Sequence, residues 1–157
     1  MWPRLFIIII LLLLLLTQIT LGQAECLFSK DGISEPTFKS SEIEYSKWRN
    51  KEIYNAVLKD EKYIYIRYWA CDHFGLNANY YIPKRIFDDI NLKKETLYLA
   101  KNILNKHDYQ IVENKISTMT TLLGKTIELP HGTYSEFIIA IKAINKKIMI
   151  NIDYYGN

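Results

Sequence analysis

The signatures of the common hydrolases and nucleotide enzymes are missing from this chain. It has no G-x-S-x-G elbow, no H-E-x-x-H pair and no glycine-rich phosphate loop, and without them those chemistries have no nucleophile, metal or phosphate cradle to work from. Histidine is scarce, with only His73, His107 and His131 present, and neither His107 nor His131 has a second histidine or a cysteine at helical spacing. A zinc centre needs three or four ligands, so no metal and no cofactor is expected. Lysine and arginine form no stripe, and 20 basic residues stand against 17 acidic ones. That balance makes nucleic acid an unexpected partner. There is no N-x-Ser/Thr acceptor, no internal repeat and no long linker. Asp88 and Asp89 are adjacent carboxylates, but at the approach to a helix such a pair complements the helix dipole rather than forming an acid–base couple.

What the chain has in excess comes first at its start. Arg4 precedes twelve unbroken apolar residues, Leu5 to Leu16, followed by Thr17, Gln18 and Thr20 and then by the small residues Gly22 and Ala24. A basic start, a short apolar core and a small-residue end are the three regions of a secretory signal peptide. Crossing a bilayer takes about 20 apolar residues, so the run reads as a leader rather than an anchor. Residues 1–24 are therefore expected to be the signal peptide, with a cut after Ala24 or before Gln23. Lipidation of Cys26 would want a small residue directly before it, and Glu25 stands there. The mature part, 25–157, is then a single domain, with 19 basic and 17 acidic residues. The expected location is the periplasm or the exterior, with no stable membrane anchor after cleavage. The abundance of Ile, Lys, Asn and Tyr suits a bacterial source.

Only two cysteines are present, Cys26 and Cys71. An exported chain with an even count usually pairs them, and the bond would close a loop worth about 4 kcal/mol in the chain-entropy model. The rival is a reactive Cys71 thiol beside His73.

The mature pattern is mostly period two. Ile53–Leu58 reads as a short strand, and Lys59 to Lys62 as a polar turn. In Tyr63–Ala70, Tyr63, Tyr65, Arg67 and Trp69 face one way and Ile64, Ile66 and Tyr68 the other. Leu76–Ile82 alternates again and stops at Pro83, with Gly75 supplying a permissive turn before it. A helix follows, with Asn91 as its expected N-cap and Leu92, Leu97, Ala100, Ile103 and Leu104 near helical spacing. Residues 109–123 are ambiguous. Val112, Ile116, Met119 and Leu123 fit a second helix that Gly124 would end. Phe137–Ile141 and Ile148–Tyr154 form a C-terminal hairpin about Asn145-Lys146-Lys147. Ser40 or Ser41 is expected to cap a short helical turn running through Ile43 and Trp48. The fold class is α+β: an antiparallel sheet from an N-terminal meander and a C-terminal hairpin, with one or two helices on one face.

Chemistry-bearing residues concentrate between Trp69 and Gly75. Cys71 and His73 are a nucleophile–base pair by residue type, with Asp72 between them. They stand two apart, however, and catalytic pairs usually meet from separate elements. Tyrosine is the other concentration, with five of the 12 between Tyr63 and Tyr81. Tyr and Trp provide rigid contact area with a polar tip and are enriched at interfaces. Tyr63, Tyr65, Trp69, Asp72, His73, Phe74 and Tyr81 are the candidate partner-binding residues.

The segment Leu58–Ile82, LKDEKYIYIRYWACDHFGLNANYYI, resembles a strand, C-x-H-[FY]-G turn and strand found in small exported bacterial proteins. Some proteins of this size and export class are periplasmic immunity proteins, which neutralise wall- or membrane-attacking effectors of type VI secretion. The Ser-Gly-x-Lys/Arg-Tyr pattern of one periplasmic lysozyme-inhibitor family is missing. The resemblance implies a non-enzymatic binding or inhibitor protein with a protein partner, a secreted effector or enzyme. The alternatives are a small secreted thiol-dependent hydrolase using Cys71 and His73, and a structural envelope component.

Overall fold

The computed structural model describes residues 35–70, 74–86, 88–131 and 135–156. The leader at 1–24 and the residues Cys26, Cys71, Asp72 and His73 lie outside the described residues, and so does the expected disulfide. A 3-10 turn at Ser40–Glu42 leads into β1 (Ile43–Arg49), β2 (Ile53–Leu58), β3 (Lys62–Ala70) and β4 (Phe74–Pro83). Two helices follow, α1 (Asp89–Ile103) and α2 (Lys106–Thr118), and then β5 (Thr126–His131), β6 (Ser135–Ile144) and β7 (Lys147–Gly156). The strands form one seven-stranded sheet in the order β1-β2-β3-β4-β7-β6-β5, antiparallel at every junction. It is two meanders joined side by side, β4 to β7, with the helices as the connection. This is the α+β class that the residue pattern implies.

The alternation decides what each face does. One face carries Tyr54, Ala56, Ile64, Ile66, Tyr68, Leu76, Ala78, Tyr80, Phe137, Ile139, Ile141, Ile148, Ile150 and Ile152, all buried. Leu92, Leu99 and Ala100 of α1, with Val112 and Ile116 of α2, close over that face into a single apolar core. Among the described residues no helix packs on the opposite face. Thr96, buried in α1, satisfies its hydroxyl on the Leu92 carbonyl at 2.8 Å.

Five sequence expectations are corrected. Ser40 and Ser41 do lie in a helical turn, but it stops at Glu42, and Ile43–Arg49 is an extended strand paired with β2. An edge strand has little buried on either side, and Glu44 to Lys47 are exposed, so it lacks the strong alternation that reveals a strand. Asn91 is not the cap of α1. Asp88 is, accepting the Asn91 amide at 2.6 Å. Gly124 does not end α2, which stops at Thr118 with Met119 as its C-cap. At φ 75° Gly124 instead turns the chain towards β5, held to the Ile141 carbonyl at 2.8 Å. Gly75 lies inside β4 and is paired across to Trp69, not in a turn. The sheet also gains β5, which no sequence pattern announced. The ambiguity at 109–123 resolves as helix up to Thr118, capped by Asn105, whose side chain accepts the Asp108 amide at 3.0 Å.

Candidate functional site

The register sorts the open face into rows. Arg49, Ile53, Arg67, Asn77, Asp153, Ile138 and Glu128 are successive cross-strand neighbours from β1 to β5. A parallel row runs Lys47, Asn55, Tyr65, Asn79, Asn151, Ala140 and Thr126. A third holds Tyr45, Val57, Tyr63, Tyr81, Met149 and Lys142. On the other flank Trp69, Gly75, Tyr155 and Glu136 line up.

Polar contacts bind the middle of this surface together. The Asn77 amide donates to Asp153 Oδ1, the Asn79 amide donates to Asn77 Oδ1, and the Asn151 amide donates to Asn79 Oδ1 at 3.2 Å. A chain of amides that satisfy one another holds a flat polar strip with few loose donors, the condition under which such groups tolerate being covered. Aromatic pairs bracket the strip. Tyr63 and Tyr81 have ring centroids 6.1 Å apart, and Trp69 and Tyr155 5.6 Å. Tyr63 also donates to Asn55 Oδ1 at 2.7 Å. Burial raises its hydroxyl pKa, with the neighbouring Tyr65 and Tyr81 adding to the shift. Beside it, Tyr45, Lys47, Arg49, Asn55 and Val57 line a shallow hollow of about 260 Å³. Lys47, Arg49 and Arg67 are in no salt bridge among the described residues.

Of the expected partner-binding residues, Tyr63, Tyr65, Trp69 and Tyr81 therefore share the face on which no described helix packs, and all four are half-buried there. Phe74 does not join them. It pairs with Ala70 on the helix side and packs its ring 6.1 Å from Tyr154, beside Leu104 and Asp108. It stands one position from Gly75, and at period two that single step moves a side chain to the other face. Sequence reasoning missed Asn77, Asn79, Asn151 and Asp153 as a connected group. The only available signal was that all four fall on polar positions of two alternating strands, and nothing local says those strands are neighbours.

A second polar cluster lies on the helix side. Lys62 Nζ sits 2.7 Å from Glu95 Oε1, and the Tyr80 hydroxyl donates to Glu95 Oε2 at 2.5 Å. The Tyr98 hydroxyl donates to Glu42 Oε2 at 2.5 Å. These groups line a cleft of about 270 Å³ with Lys59, Asp60 and Lys94. Desolvation, then the Glu95 charge, pushes the Tyr80 hydroxyl far above its ordinary range. Burial and Glu42 do the same to Tyr98. Both phenols are held protonated as donors to carboxylates, so the cluster braces β3, β4, α1 and the Ser40–Glu42 turn. Among the described residues no group of three or more His, Cys, Asp and Glu is placed to hold a metal, and no helix is long and apolar enough to cross a membrane.

Compared with known proteins, the chain matches no family profile, no curated protein and no solved structure.

Proposed function

We propose that this is a non-enzymatic binding protein, an inhibitor of the immunity type acting outside the cytoplasm, and that the open sheet face is its docking surface. The observation that carries the reading is that face itself, on which no helix packs among the described residues. It sets Tyr63, Tyr65, Trp69, Tyr81 and Tyr155 around a self-bonded amide strip, with three cations at one side that are in no salt bridge among the described residues. Rigid aromatic anchors and arginines are the residue types that dominate protein-interface energetics, and a surface built on strands is ordered before its partner arrives, which lowers the cost of association. The leader-like N-terminus and the Leu58–Ile82 resemblance support a secreted effector as the partner.

The test starts from the gene neighbourhood, where a secreted effector is expected, and titrates that purified effector with this protein. Inhibition with a micromolar or tighter Kd is expected, weakened about tenfold or more by Tyr65→Ala or Arg67→Ala, as for truncation of an interface anchor. No binding, or face variants that bind like the unmodified chain, would overturn the reading.

A further inference from the structure

The row through the middle of the open face has an internal symmetry. From β1 to β5 it reads Arg49, Ile53, Arg67, Asn77, Asp153, Ile138, Glu128. Asn77 is on β4, the fourth of seven strands. About that centre, each residue on one side is matched at the same distance on the other by its complement: Arg67 by Asp153, Ile53 by Ile138, Arg49 by Glu128. Among the described residues none of these four charges is in a salt bridge. The Gly75 row and the Tyr81 row also set apolar or aromatic partners one strand from centre: Trp69 and Tyr155 sit on either side of Gly75, and Tyr63 and Met149 on either side of Tyr81. The row between, through Asn79, is polar and sets Tyr65 opposite Asn151 and Lys47 opposite Thr126.

A two-fold axis along β4 turns this pattern onto itself. Arg67 of one copy meets Asp153 of the other, and Arg49 meets Glu128. Ile53 faces Ile138, Trp69 faces Tyr155, and Tyr63 faces Met149. An isologous interface requires this self-complementarity, in which residue i contacts j and j contacts i. Seven strands about 4.8 Å apart, each giving about seven residues at 3.4 Å, present a face of about 800 Å². That is the share per partner of a standard interface. Two such faces stack as aligned sheets, with a rotation of about 30° that the long arginine and glutamate side chains span. The amide strip at the axis is already bonded internally, so closing the faces strands few polar groups.

We propose that the open face pairs with the same face of a second copy, giving a two-fold dimer held by the reciprocal Arg67–Asp153 and Arg49–Glu128 contacts. This rests on the reading of that face as a docking surface. A dimer formed this way hides the surface until a partner competes for it.

Sedimentation velocity on the purified protein tests it. A concentration-dependent species of twice the monomer mass is expected, weakening as added salt shortens the Debye length from about 10 Å at 0.1 M to about 3 Å at 1 M. Arg67→Asp alone and Asp153→Arg alone each set like charges across the axis, and each should weaken dimerisation about tenfold or more. Mixing the two variants makes both reciprocal contacts attractive again, so the mixture should form a mixed dimer, and the double variant R67D/D153R should recover self-association. Far-UV circular dichroism checks that each variant is folded, and the mixture keeps the test informative where one variant is weakened. A protein that stays monomeric at low salt, or charge variants that dimerise unchanged, overturns self-pairing. A monomer that still inhibits the effector through Tyr65 and Arg67 leaves the docking reading standing, so the two failures are distinguishable.

Discussion

Gly75 lies beneath the indole of Trp69. The two are cross-strand partners on β3 and β4, and a Cβ placed on Gly75 would collide with the indole at its Cζ2. The missing side chain lets the ring lie flat across β4 until it meets Tyr155 on β7. Gly75→Val should cost about 1–3 kcal/mol by overpacking, read as a lower urea midpoint with an unchanged slope. Made in a Trp69→Ala background, the same substitution should cost little, because the atoms it collides with are gone. An equal cost in both backgrounds would remove Trp69 as the reason for the glycine.

Glu95 is the shared acceptor of Lys62 and Tyr80, with Tyr80 fully buried and the Lys62 and Glu95 side chains only 18% and 13% exposed. Taking it away strands a buried hydroxyl and a half-buried ammonium. Glu95→Ala should therefore cost about 3 kcal/mol or more, the scale for breaking a buried pair from one side. Tyr80→Phe, which removes one donor and leaves the ion pair, should cost about 1 kcal/mol. Chemical denaturation of the two variants checks the order.

The phenols of Tyr54, Tyr68, Tyr80 and Tyr98 are all shifted upward from 10.0, mainly by burial. Unfolded tyrosines ionise near 10, while the folded ones hold their protons to higher pH. The stability they supply is complete below pH 10 and falls as pH rises above it, because the unfolded chain gains ionised forms that the fold resists. Unfolding midpoints should be flat with respect to these groups up to about pH 9 and drop beyond about pH 10. The drop should be shallower in Tyr80→Phe, and an equally steep fall in that variant would show that Tyr80 is not among the groups responsible.

The central strands were legible because both their faces are decided. Ile53–Leu58 is recovered residue for residue, and the split of Tyr63, Tyr65, Arg67 and Trp69 from Ile64, Ile66 and Tyr68 holds because the described helices pack on one face alone. The edges were not legible. β1 is exposed along most of its length and has no alternation to read, and β5 is only six residues long. The candidate site was legible strand by strand and not as a surface. That Asn77 lies beside Asp153 follows from β4 pairing with β7, two strands separated by both helices. No local pattern encodes a pairing of 76 residues' separation. Phe74 parts from Tyr63, Tyr65, Trp69 and Tyr81 for a simpler reason: a cluster in sequence is divided between two faces once it enters a strand.

The segment before β1 is fastened by side chains that can be tested one at a time. Phe38 is only 7% exposed, with its ring 6.1 Å from Tyr54 and 5.7 Å from Tyr98. The Thr37 amide donates to the Asn102 carbonyl at 3.0 Å, and Tyr98 ties Glu42 to α1. Phe38 is thus the apolar plug between the C-terminal half of α1 and the β2 end of the sheet, and the hydrogen bonds on either side fix its entry. Phe38→Ala should cost about 3–5 kcal/mol, the range for emptying an aromatic site. Tyr98→Phe keeps the ring and loses only the bond to Glu42, and should cost about 1 kcal/mol. Hydrogen exchange adds a positional readout: in Phe38→Ala the Thr37 amide should lose its protection first, while amides of β3 and β4 keep theirs. Protection lost evenly across the sheet would mean that the segment unfolds only with the whole and that Phe38 is an ordinary core residue rather than a local fastener.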